Sequence, residues 1–266
     1  MRNAFSKTGA LALTAGLLLA SAATAQKVSF KDPTGDDNGP GTYTYPTDQV
    51  YKRGSFDLTA FDVESKGGKV TFDVTMNSPL EDPWGMKVGF ATQMVFIFID
   101  TGAGGSTDAP PGLNVKFDEA NAWDKLVILS PQPPGRVKDE VGQKAGTMQA
   151  NILIPTRVKG AGRTISGTVD LAGDPTQWGY QVVVQSNEGF PADNDLLTRK
   201  VNEFEGQHRF GGGTDTDCDP HAIDILAGNG SGAADEAEAQ HAMLKYECNP
   251  DGSAKTGAVL KMVRKS

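Results

Sequence analysis

The densest set of ligand-type side chains in the sequence is Lys31-Asp32-Pro33-Thr34-Gly35-Asp36-Asp37-Asn38-Gly39-Pro40-Gly41. Asp32, Asp36 and Asp37 place three carboxylates within six positions, where they repel one another unless a cation neutralises them. Asn38 adds a carbonyl, and the glycines leave main-chain oxygens open to the same space. Calcium takes about six to eight oxygens, from carboxylates and carbonyls alike, so such a loop suits that ion. Asp57, at the start of a following strand, is a fifth candidate ligand. The spacing is not that of an EF-hand, because D-x-D-x-D-G and the closing Glu are missing. Without an ion, the same residues form an Asx-rich turn.

A second candidate centre is softer. All three histidines, His208, His221 and His241, lie in one C-terminal stretch. Gathered on one ion they would make a copper or zinc site, with Met243 as a soft axial contact. Exposed copper with three histidine ligands, in a protein outside the cytoplasm, is chemistry for removing superoxide, since copper cycles between two oxidation states. No H-x-H or H-E-x-x-H spacing enforces that gathering, and the alternative is three unrelated histidines. Other catalysis finds little footing. There is no G-x-S-x-G elbow, no phosphate-binding loop and no dinucleotide fingerprint. A glycosidase needs two carboxylates flanking one bond, and the many Asp residues cannot be paired from sequence.

The elements that must position these groups read as strands and turns. Phe56–Val63 and Lys69–Met76, joined by Lys66-Gly67-Gly68, alternate polar and apolar residues and predict a hairpin with one buried face. Met94–Ile99 (MVFIFI) is apolar on both faces, as a central strand covered on each side would be. Further strands are predicted at Lys125–Leu129, Met148–Ile154, Thr164–Leu171 and Tyr180–Gln185, with glycines and prolines between them. Gly102–Gly112 and Ser130–Gly146 read as long loops able to serve a partner. Only Ala233–Tyr246 reads as a helix, with acids early and Lys245 late, in agreement with the helix dipole. The predicted architecture is an all-β antiparallel sandwich over residues 26–266, with a short C-terminal helix and a C-terminal subregion over 211–266.

The N-terminus predicts export. Arg2 and Lys7 precede the apolar run Ala10–Ala20, and Ala23-Thr24-Ala25 supplies a small-x-small cleavage pattern, so residues 1–25 read as a signal peptide. That run is shorter than the roughly 20 residues a membrane span needs. The chain carries 25 Lys+Arg against 33 Asp+Glu, a net charge of −8, and losing Arg2 and Lys7 with the leader takes it to −10. Such an acidic protein is a poor candidate for nucleic acid, whose phosphates are bound through basic patches. Its two cysteines, Cys218 and Cys248, read as a disulfide pinning the tail, the other possibility being a pair of metal-binding thiolates.

The segments DPTGDDNGPGTYTYPTD, FDLTAFDV, NSPLEDPWGMKVGFATQMVFIFIDT and RFGGGTDTDCDPHAIDIL resemble the C-terminal module of glucodextranase-type proteins. That module is similar to the DOMON and family 9 carbohydrate-binding group of β-sandwiches. The resemblance covers about residues 28–250. It implies a calcium-stabilised sandwich attached to cell-envelope polysaccharide, or to a larger surface-layer or outer-membrane complex. Asp32, Asp36 and Asp37 match the acidic motif, Trp84 the Pro-Trp-Gly element, Asp100 the end of the long strand, and Phe210–Gly213 with Asp219-Pro220 the tail motif. Related sandwiches hold sugar between aromatic rings, which makes Trp84, Trp178 and Tyr180 the candidate sugar-binding residues, with core packing as their other fate. Some DOMON sandwiches bind haem b through Met and His, and Met86 and Met94 are the methionines available for that role. Such modules often ride on a large hydrolase, whereas here the module stands alone behind its leader.

Overall fold

The computed structural model describes Met1 and residues 25–265. Apart from its first and last residues, the expected leader therefore lies outside the described residues. Two five-stranded sheets form the body. The first runs β1 (Gln26–Lys31), β2 (Leu58–Lys66), β3 (Lys69–Met76), β9 (Thr164–Asp170), β8 (Val158–Ala161), with every neighbouring pair antiparallel. Burial alternates along β3 and β9, so each strand sends every second residue inward, as the two-residue pleat requires. The β2–β3 hairpin closes at Gly67 and Gly68, both at positive φ (61° and 76°), which a tight two-residue turn demands and glycine supplies without strain.

The second sheet runs β11 (Asp224–Ile225), β10 (Gly179–Ser186), β4 (Gln93–Asp100), β6 (Lys125–Leu129), β7 (Ile152–Leu153). It is the middle layer. Val95, Ile97, Ile99, Val127 and Val182 share one core with Phe61 and Phe72 of the first sheet. Their neighbours Met94, Phe96, Phe98, Leu126 and Val183 point the other way, into a second core. That core is closed by Val137 and Val141 of α1 (Pro134–Lys144), by Leu197, and by Leu260 of β14 (Ala258–Leu260), a strand that pairs in parallel with β5 (Val115–Phe117). The continuous apolar run Met94–Ile99 thus sits where both of its faces are covered.

Two expectations need correction. Met148–Ile154 is not a strand: Gly146–Asn151 forms a 3₁₀ helix, and only Ile152–Leu153 pairs, in parallel with β6. The segment is poor in β-branched residues before Ile152, so its pairing is confined to Ile152 and Leu153. Ser130–Gly146 is not a loop but carries α1, started by a proline in its first turn and anchored by Val137 and Val141 four residues apart. Only those two apolar positions are spread over eleven residues, a stripe too thin to read. The expected C-terminal helix is present as α2 (Glu236–Met243). Cys218 and Cys248 form a disulfide, their Cα atoms 5.7 Å apart, and Cys248 ends β12 (Glu247–Cys248), which pairs with β13 (Ala254–Thr256). Among the described residues, no helix is long and apolar enough to cross a membrane.

Candidate metal centre and aromatic groove

The acidic loop leaves β1 at Lys31 and returns toward β2, and it divides its carboxylates between two environments. Asp32 and Asp36 turn inward and meet Asp224 of β11, with one oxygen from each of the three within 4.8 Å of the others. Asp57 is buried close by. The exposures are 4% for Asp32, 3% for Asp36, 1% for Asp57 and 0% for Asp224. No Lys or Arg forms an ion pair with any of these four among the described residues.

Hydrogen bonds satisfy only part of the set. Asp224 is used on both oxygens, accepting from the N–H of Leu58 (2.7 Å) and of Ile225 (2.8 Å). Asp57 Oδ2 accepts from Gly35 N–H (2.8 Å) and Asn77 Nδ2 (2.9 Å). Asp32 Oδ1 accepts from Ala227 N–H (3.3 Å). Four oxygens have no donor: Asp32 Oδ2, Asp36 Oδ1, Asp36 Oδ2 and Asp57 Oδ1. Buried carboxylate oxygens without donors are costly unless something positive stands beside them.

The electrostatics state the same cost. Burial, then the Asp36 charge, pushes Asp32 well above the ordinary carboxylate range. Burial, then Asp32 and Asp36, does the same to Asp224. Burial, reinforced by Asp57, Asp37 and Glu236, pushes Asp36 up to about 7. Burial and the Asp37 charge push Asp57 to about 6, against the bonds from Asn77 and Gly35. Glu236 behaves differently: burial opposes its ionisation, but the N–H groups of Ser231, Asn229 and Gly232 outweigh it and hold the carboxyl below its ordinary value.

Asp37 and Asn38 do not join the buried oxygens with their side chains. Asp37 accepts from the Tyr45 hydroxyl, and Asn38 Oδ1 lies 3.1 Å from His241 Nε2. Asp224, 188 positions beyond Asp36, is the member the local motif does not contain. Its signal is a lone carboxylate inside the apolar run Ala222–Leu226. Gln240 of α2, fully buried, locks the arrangement: its amide donates to the carbonyls of Asp36 and Gly39, and its Oε1 accepts from Ile225 N–H (2.9 Å). Gly39 lies at φ +61°, and a Cβ there would fall 2.2 Å from the Tyr43 ring, so the loop's path depends on glycine.

The three histidines occupy three separate places. His208 packs against Tyr51 and Trp84, with ring centroids at 5.9 and 6.4 Å. His221 is 2% exposed, its Nδ1 accepting from Val201 N–H (3.3 Å) and its Nε2 3.7 Å from Asp217. His241 sits against the acidic loop. Among the described residues, the metal-ready group is the aspartate trio, and the imidazoles are not drawn together on one ion. Met94 fills the second core, and Met86 lines a surface groove together with His208.

That groove, about 380 Å³, is lined by Trp84, Met86, Arg136, Glu188, Phe190 and His208, among others. The Pro-Trp-Gly turn is built by Asp82, whose carboxylate accepts from Met86 N–H (2.7 Å) and Lys87 N–H (2.8 Å). Trp84 is held edge-on by Tyr51 at 6.2 Å and by His208, and remains 39% exposed. Phe190 beside it is 93% exposed. Arg199 stiffens the wall, donating to Glu188 (2.9 Å) and the Tyr51 hydroxyl (2.9 Å). Trp178 and Tyr180 are elsewhere, 4% and 0% exposed in the first core, where the Tyr180 hydroxyl donates to the Pro175 carbonyl. The two-tryptophan platform is therefore not formed, because Trp178 packs inward against Tyr180 while Trp84 lies at the surface.

A family model described as the C-terminal binding module, SLH-like, of glucodextranase matches residues 28–262. The chain belongs to that family. The match spans both sheets, the acidic loop, the groove and the disulfide. No curated protein matches the sequence.

Proposed function

We propose that this chain is a non-catalytic, calcium-stabilised module of the cell envelope that binds polysaccharide. The observation that carries the binding half is Trp84, a half-exposed indole braced by Tyr51 and His208 at the edge of a groove. Sugars present flat C–H faces, and a ring fixed before binding loses little entropy on stacking. The disulfide and the leader-type N-terminal sequence support a place outside the cytoplasm. The buried aspartates support the calcium half. A hard dication beside Asp32, Asp36 and Asp224 would supply the positive charge that the donorless oxygens of Asp32 and Asp36 lack.

The test of the binding half is affinity electrophoresis and calorimetry with neutral oligosaccharides such as isomaltotriose and maltotriose. Trp84→Ala is expected to weaken binding about tenfold or more, roughly 1.4 kcal/mol, with no comparable change in melting temperature. Binding that survives the substitution would refute this platform. Binding only to envelope protein would replace polysaccharide by a protein partner.

Calcium stabilisation is expected to depend on pH. Asp36 and Asp57 have folded-state values raised to about 7 and about 6. A raised folded value contributes stability that is fully present below the unfolded value and lost as pH rises to the folded one, so in EDTA the melting temperature should fall between about pH 4 and about pH 7. Calcium displaces those protons, so the melting shift it induces should grow over the same interval. A calcium shift equal at both ends would contradict the assignment.

A further inference from the structure

A second cavity, about 760 Å³, lies against the other side of the acidic loop. Its lining includes Gly35, Asp37, Asn38, Tyr45, Tyr51 and Asp57. A volume of this order lies within the range of small-ligand sites. It also contains a buried acceptor without a donor. Asp57 is 1% exposed, its Oδ2 is taken by Gly35 and Asn77, and its Oδ1 has no partner. Asp57 Oδ1 is not one of the three oxygens that converge at Asp32, Asp36 and Asp224, so it is free to serve the cavity.

Two adjacent residues connect the two sites. Asp36 turns to the buried aspartates, while Asp37 lines the cavity and accepts from the Tyr45 hydroxyl, itself a cavity residue. Whatever orders Asp36 therefore also sets the position of Asp37. Tyr51 is common ground on the other flank, lining this cavity and touching Trp84 at 6.2 Å. The charge lining the cavity is Asp37, Asp48 and Asp57 against Arg53 alone, which disfavours uronic, sulfated or phosphorylated ligands.

We propose that this cavity is a second glycan subsite, for a neutral sugar unit that donates a hydroxyl to Asp57 Oδ1, and that a cation at the aspartate trio is required to shape it. The proposal rests on the carbohydrate reading above and adds the class of glycan and its dependence on metal. Unlike Trp84, which is fixed by Asp82, Tyr51 and His208, the cavity shares its wall with the metal loop. Chelation should then abolish binding at the cavity and leave the Trp84 groove unchanged.

The experiment is a backbone-amide chemical-shift titration of the mature protein with isomaltotriose, in calcium and in EDTA, for wild type, Trp84→Ala and Arg53→Ala/Gln49→Ala. The last pair are exposed cavity residues. In calcium, wild type should show shifts in both the Thr44–Asp57 segment and the Trp84 groove. Trp84→Ala should keep the first set, and EDTA should abolish the first set while leaving the second. The double variant should weaken the first set several-fold at unchanged melting temperature. Shifts confined to the groove would overturn the cavity subsite and leave the carbohydrate reading standing. Cavity shifts that persist in EDTA would overturn the metal dependence. A preference for glucuronate or glucosamine oligomers over isomaltotriose would overturn the neutral class, and no shifts anywhere would remove the carbohydrate reading itself.

Discussion

In calcium, Asp36→Asn should melt well below the wild-type protein; in EDTA it should melt at the same temperature or higher. The crossing follows from the two roles of one side chain. Asp36 brings two donorless oxygens to the buried aspartates, so with a cation present its loss removes ligands. At calcium one hundred times its dissociation constant, binding contributes about 2.7 kcal/mol. For a domain of this size that corresponds to roughly 5–11 °C. Without the cation, the same carboxylate is held among Asp57, Asp37 and Glu236 at a cost that neutral Asn avoids. Equal destabilisation in calcium and in EDTA, read by differential scanning calorimetry, would show that Asp36 matters only as a packing group.

The second large effect is expected from the disulfide. Joining Cys218 to Cys248 closes a separation of 30 residues. The chain-entropy relation gives about 3.6 kcal/mol for a loop of that length. Cys218→Ser/Cys248→Ser should shift the urea midpoint accordingly, with little change in slope. A further consequence separates this protein from a simple stapled domain. Asp224 and Gln240 both lie inside the bridged segment, one converging with Asp32 and Asp36 and the other bonded to the carbonyl of Asp36. Opening the bridge should therefore lower calcium affinity as well as stability. A double variant that loses stability but binds calcium as tightly as wild type would show that the bridge does not support the site.

Much of the fold was legible because period-two burial is written directly into Lys69–Met76, Thr164–Asp170 and the doubly covered run Met94–Ile99. Helix α1 was hidden, since Val137 and Val141 are its only buried apolar residues and proline and glycine open it. At the site, Asp32 and Asp36 could be read locally because the loop repeats its carboxylates, and Asp57 from its place at the start of the next strand. Asp224 could not be assigned, because pairing β11 beside β10 is what carries it to the loop. The lone aspartate within Ala222–Leu226 was its only trace. Asp37 and Asn38 share the motif but not the cluster, because successive residues of a tight turn cannot all point one way. The histidines illustrate the converse: closeness in sequence placed them in three different environments.

Metal analysis of the mature protein, purified without chelator and dialysed against calcium with trace copper and zinc, tests the central claim most directly. The expected result is one calcium per chain by native mass spectrometry, lost in Asp32→Asn/Asp36→Asn. Copper or zinc at one per chain, or calcium absent from correctly folded wild-type protein, would contradict it.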